Sequence, residues 1–144
     1  MDSTSIVQWN CRGLRANYNE LSLLISKLNP SALCLQETNI PTNYNNTMRS
    51  YSLFHTPSVR ADGQPCGGVA ILVRNNIPHS PININSNLQV VAVRITSNKP
   101  FTLCTIYLPP LSTWTAADLQ SAVQQLPQPV LLLGDFNAHS TVGQ

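Results

Sequence analysis

An aliphatic run, Val130-Leu131-Leu132-Leu133, leads directly into Gly134-Asp135-Phe136-Asn137-Ala138-His139. A carboxylate, an amide and an imidazole at positions 135, 137 and 139 are the groups that hold hard cations, orient phosphate oxygens and move protons. Pro129 and Gly134 bound the run, and its unbroken apolar character predicts a strand buried on both faces. In layered α/β proteins, chemistry sits where such strands end and loops begin.

A second carboxylate stands in the same kind of place. The chain has six acidic residues. Asp2 is terminal, Glu20 and Asp118 fall in the first turns of predicted helices, and Asp62 lies in a polar loop. Those four have ordinary roles as caps and solvated charges. Glu37, like Asp135, closes a run of aliphatics, here residues 32–36. An ionised carboxylate held there costs several kcal/mol unless a cation, an arginine or several hydrogen bonds meet it. The run at 5–10 ends in Asn10 and the run at 101–107 ends in Tyr107. Strand ends therefore deliver Asn, Glu, Tyr and Asp-x-Asn, oxygen donors without a thiolate, which suit Mg²⁺ or Mn²⁺. The bland alternative pairs Glu37 with Arg12 and leaves Asp135 and Asn137 capping a turn. Agreement among the strand ends favours a site.

The elements that must position these residues can be read in order. Leu21, Leu24, Ile25 and Leu28 fall at helical spacing, with Asn17 or Asn19 as N-cap and Pro30 beyond the end. An Asn- and Thr-rich loop runs from 38 to about 49, a short strand covers 51–55, and 58–67 is a loop. Runs at 68–74, 89–95 and 101–107 are joined without room for helices, which implies antiparallel pairing. A second helix is expected over 116–126, with Thr115 and Asp118 as a capping box and Leu119, Ala122, Val123 and Leu126 as its apolar face. Two helices and about seven strands, with no repeat or internal boundary, predict one domain over 1–144.

Composition narrows the class. Apolar residues make up 42% and charged residues 10%, which argues for a packed interior rather than disorder. The net charge of +2 and pI of 8.4 fall short of a strongly basic nucleic-acid footprint. Cys11, Cys34, Cys66 and Cys104 include no pair at metal-ligand spacing, and Cys34 and Cys104 lie within apolar runs, so buried free thiols are expected. No signal-peptide pattern or membrane-length apolar run occurs, and an intracellular setting, nuclear or cytoplasmic, is expected.

Five motifs then converge: WNCRGL at 9–14, LQET at 35–38, GGVAILVR at 67–74, IYLPP at 106–110 and GDFNAH at 134–139. In order and spacing they resemble the endonuclease/exonuclease/phosphatase, DNase-I-like superfamily. More narrowly, they are similar to the apurinic-type endonuclease domain of jockey-like non-LTR retrotransposons. The resemblance implies an α+β fold, a four-layer α/β/β/α sandwich, with Mg²⁺ or Mn²⁺ as cofactor. It implies that Asn10 and Glu37 hold or orient the metal. By the same analogy Tyr107 contacts the scissile phosphate, Asp135 aligns the attacking water, and Asn137 fixes the phosphate and Asp135. His139 is an accessory candidate. DNA is the implied partner, in a full-length parent alongside a reverse transcriptase domain, with no membrane. The family's domain continues into a further acidic ligand and a Ser-Asp-His that nothing after His139 supplies. The chain is therefore expected to be C-terminally incomplete and inactive alone.

Other readings are weaker. Cys11-Arg12-Gly13-Leu14 has one glycine where a nucleotide-binding loop needs three. A phosphatase for inositol phosphates or lipids shares the metal residues but usually has basic or aromatic residues where this chain has Ala138-His139. A non-catalytic remnant is the third reading. Arg12, Arg15 and Thr38, with the loop to Arg49 and Arg60, are candidate contacts to a DNA backbone, since phosphate contacts need only scattered donors.

Overall fold

A computed structural model describes residues 4–45, 48–58, 60–96, 98–108 and 114–135, with residue 135 described by its backbone alone. The elements are β1 (Ile6–Asn10), α1 (Tyr18–Leu28), β2 (Ala32–Gln36), β3 (Tyr51–Thr56), β4 (Val69–Arg74), β5 (His79–Ile82), β6 (Gln89–Ile95), β7 (Phe101–Tyr107), α2 (Ala116–Gln124) and β8 (Val130–Asp135). Among the described residues they form two four-stranded sheets, ordered β1-β2-β4-β3 and β5-β6-β7-β8. β1 runs parallel to β2, as β7 does to β8, and the other pairings are antiparallel.

Period-two alternation along each strand sorts the residues into layers. Ala32, Cys34, Ile71, Val73, Val93, Ile95 and Leu103 form the core between the sheets. Leu33, Leu35, Ala70 and Leu72 face the other way, onto Leu21, Leu24 and Ile25 of α1. Val90, Ala92, Cys104 and Ile106 pack against Leu119 of α2 and Leu126 just beyond it, and Ala122 of α2 is buried. The result is the four-layer α/β/β/α arrangement expected from the motifs.

The α2 capping box forms as the sequence predicts: Asp118 N donates to Thr115 Oγ1 at 3.2 Å and Thr115 N to Asp118 Oδ2 at 2.9 Å. Asn17 precedes α1, but its side chain makes no cap bond. Its amide instead donates to the Cys11 carbonyl at 2.6 Å, tying the loop after β1. Leu28 and Val123, expected on apolar faces, are among the exposed large hydrophobics. They sit in the last turns of their helices.

The antiparallel pairing expected of the runs at 68–74, 89–95 and 101–107 holds between β6 and β7, while β4 pairs antiparallel with β2 and β3 in the first sheet and not with β6. β5 went unread because Ser80 and Pro81 interrupt any apolar period, and a proline is tolerated here because β5 is an edge. β8 packs on both faces, Leu133 toward the inter-sheet core and Val130 and Leu132 toward α2, but only partly. Among the described residues it lies at a sheet edge, and Leu131 is 40% exposed. The thiols of Cys11, Cys34 and Cys104 are buried and Cys66 is exposed. Burial raises all three buried thiols, Cys11 to about 11 and Cys104 to about 12.

Candidate active site

β1 and β2 leave the first sheet side by side, with Asn10 opposite Gln36. Their pairing continues past the strands: Cys11 N donates to Gln36 O, Gly13 N to Glu37 O and Leu14 N to Thr38 O, at 3.1, 2.8 and 2.8 Å. This extension holds Glu37 beside Asn10, whose Nδ2 donates to Glu37 Oε2 at 2.6 Å. Asn10 Oδ1 in turn accepts from Arg12 N at 3.3 Å. A short bond from a neutral amide to a carboxylate orients the carboxylate while leaving its charge in place.

The backbone here is unusual. Arg12, Glu37 and Asn39 have φ of 49°, 52° and 52°, in the left-handed region that costs a non-glycine residue on the order of 1 kcal/mol or more. Such strain persists where surrounding bonds over-determine it, commonly at functional sites. Those bonds are present. Thr38 N donates to Gly68 O and Asn39 N to Gly67 O; Gly67 N donates to Asn39 Oδ1 at 2.7 Å. Gly68, with φ of 92°, fits because a Cβ there would stand 3.0 Å from Thr38 Oγ1 and 3.2 Å from the Thr56 carbonyl oxygen.

From Gly68 the contacts cross to the second sheet. Gly68 N donates to Gln89 Oε1 at 2.6 Å, and Gln89 is the register partner of Tyr107. Tyr107 is in turn opposite Asp135 across the parallel β7–β8 pair. On the far side, Gln8 Nε2 of β1 donates to Gly134 O at 3.1 Å. Asn10, Glu37, Tyr107 and the Asp135 backbone are thereby gathered at one end of the two sheets. Asn137 and His139 lie outside the described residues.

The remaining candidates divide. Arg12 and Arg15 are exposed at the rim, and the Arg15 guanidinium donates to Asn39 O at 3.3 Å. Thr38 is wholly buried, with its hydroxyl on Gly67 O at 3.5 Å. It clamps the loop and presents no surface to a DNA backbone. Glu37 does not pair with Arg12; among the described residues the ion pair formed is Arg60–Asp62. Gln36, Gln89 and Thr105 were missed. Their signal was a polar residue continuing an inward-facing apolar alternation, as where Ala32 and Cys34 are followed by Gln36, or Leu103 by Thr105.

Among the described residues no cluster of three or more His, Cys, Asp and Glu side chains exists. Mg²⁺ does not require one, since it is commonly held by one or two carboxylates and keeps several waters. A half-buried carboxylate, steadied on one oxygen by an amide and free of any arginine, fits that mode.

The sequence pattern of the Endonuclease/Exonuclease/phosphatase family matches residues 7–143. The chain belongs to that family. Among relatives, it is 30% identical over 134 residues to the RNA-directed DNA polymerase from mobile element jockey of Drosophila funebris, covering 90% of this chain and 14% of that protein. The Drosophila melanogaster counterpart is 29% identical over 133 residues, with the same coverage. The chain thus spans a small part of these relatives. Among solved structures, the endonuclease domain of TRAS1, a telomere-specific non-LTR retrotransposon, superposes with a TM-score of 0.68 at 19% identity, covering 96% of this chain and 62% of that one. The 3' phosphatase NExo from Neisseria, bound to a product DNA hairpin, gives 0.71 at 18%, covering 94% and 58%. At these identities the solved structures establish the family fold.

Proposed function

We propose that this chain is the larger part of a divalent-metal-dependent DNA endonuclease domain that nicks target DNA for retrotransposon insertion by target-primed reverse transcription. The observation that carries the reading is the Asn10–Glu37 pair, bonded at 2.6 Å at the end of the sheets where Tyr107 and Asp135 also terminate strands. The jockey relatives, themselves RNA-directed DNA polymerases, support DNA as substrate and a reverse transcriptase as the neighbouring domain on the same chain.

In this scheme Glu37, oriented by Asn10, holds Mg²⁺ or Mn²⁺, which supplies neutralising charge as the phosphodiester gains negative charge in the transition state. Tyr107 contacts the scissile phosphate, Asp135 aligns the attacking water, Asn137 fixes both, and His139 is accessory. Arg12 and Arg15 meet the DNA backbone. The domain continues beyond the 144 residues. The edge position of β8, the exposure of Leu131 and the 58–62% coverage of the structural neighbours support that.

The test uses the domain extended through its natural continuation, incubated with supercoiled plasmid. Open circles are expected with Mg²⁺ and none with chelator, while residues 1–144 alone leave the plasmid supercoiled. An extended domain that released phosphate from inositol phosphates and left plasmid intact would establish the phosphatase alternative instead.

A further inference from the structure

Gln36 ends β2, and its side chain is wholly buried. It follows Ala32 and Cys34 on the face turned to the second sheet, and both of those belong to the apolar core there. An aliphatic side chain would complete the row without desolvating an amide. Gln36 instead places its Nε2 2.8 Å from Thr105 Oγ1, to which it donates. Its Oε1 is buried with no hydrogen-bond partner among the described residues. A buried polar atom left open in this way costs about 1–3 kcal/mol, so stability does not account for the residue.

Its location does. Gln36 is the register neighbour of Asn10 and precedes Glu37 in the chain. Thr105, also wholly buried, stands two positions before Tyr107 on β7 and is paired in register with Leu133, two positions before Asp135. The Gln36–Thr105 bond is a direct interior link between the strands carrying Asn10 and Glu37 and those carrying Tyr107 and Asp135.

We infer that Gln36 is a positioning residue: through Thr105 it sets the separation between the Asn10–Glu37 pair and the Tyr107–Asp135 strand ends. The inference rests on the phosphodiester-cleaving reading of the cleft. The test compares the extended domain with a Gln36→Met/Thr105→Val double variant, which removes both partners at nearly constant volume, and with Thr105→Ser, which keeps the hydroxyl. Removing both partners together is close to neutral for stability, so the double variant should melt with the parent or above it. Its kcat for nicking should fall on the order of 10–100-fold, as for other residues that orient metal ligands, with KM for DNA unchanged. Thr105→Ser should keep most of the parental rate. Independently of activity, the Asn10 side-chain amide signals in a ¹H–¹⁵N spectrum, set by the short bond to Glu37, should move in the double variant and stay in Thr105→Ser. A double variant that keeps both the parental kcat and the Asn10 signals overturns the inference, as does one that fails to fold. A parental domain that leaves plasmid uncut counts against the proposed function, while the Asn10 signals still decide the role of Gln36.

Discussion

Glu37→Gln in the extended domain should lower plasmid nicking by on the order of 10²–10⁴-fold while leaving the melting temperature nearly unchanged. The substitution removes one negative charge and keeps the shape of the side chain. Glutamine can still accept the bond that Asn10 Nδ2 donates at 2.6 Å, so the loop after β2 keeps its tie. A neutral acceptor makes a weaker bond than a carboxylate, by roughly 1 kcal/mol. Metal stabilisation of transition-state charge is worth several kcal/mol, and each 1.4 kcal/mol or so is a factor of ten in rate. Catalysis should therefore collapse while the fold survives. Nicking at the parental rate by a folded Glu37→Gln domain would remove Glu37 from the site.

Gly134→Ala should damage both fold and function. Gly134 is the register partner of Ile106 in the parallel β7–β8 pair. A Cβ at 134 would press into the Ile106 carbonyl oxygen and stand 2.8 Å from Ile106 Cγ2. The obstruction is backbone, so no rotamer relieves it. β8 must shift outward, and overpacking of this kind costs about 1–3 kcal/mol, occasionally more. For a domain of this size that lowers Tm by roughly 2–4 °C per kcal/mol. The shift also carries Asp135, the next residue, away from Tyr107, and a displacement of about 1 Å can cost 10²-fold in rate. Thermal melting and plasmid nicking of the variant check this together. An alanine variant that melts and cuts like the parent would mean that the close β7–β8 approach is not needed.

How much of this was legible beforehand depended on what each residue had to do. The Thr115–Asp118 cap was readable because its bonds are local to four consecutive positions. The strands that supply Asn10, Glu37, Tyr107 and Asp135 were readable because apolar runs break sharply at polar residues. Gly134 was read as the stop of the last strand, yet it lies inside β8. Close approach to Ile106, a neighbour 28 positions earlier in the sequence, is invisible until the strands are paired. Thr38 looked like a surface donor because its loop is polar, and only Gly67 and Gly68, folded over it, bury it. Gln36 and Gln89 look like solvated amides in one dimension. Their roles arise from Thr105 and Gly68, which topology alone brings to them. Assignment of the strands to two sheets was likewise beyond local pattern, since β4 and β5 follow one another closely in the chain and belong to different sheets.

The central claim is that Glu37, oriented by Asn10, holds the divalent ion where the two sheets deliver Tyr107 and Asp135. Crystals of the extended domain soaked in Mn²⁺, with the ion located by its anomalous scattering, test it most directly. The account predicts an anomalous peak within bonding distance of a Glu37 carboxylate oxygen, with Asn10 still bonded to Glu37 and the peak absent from Glu37→Gln crystals. A peak placed elsewhere, with Glu37 turned to pair with Arg12, would contradict it.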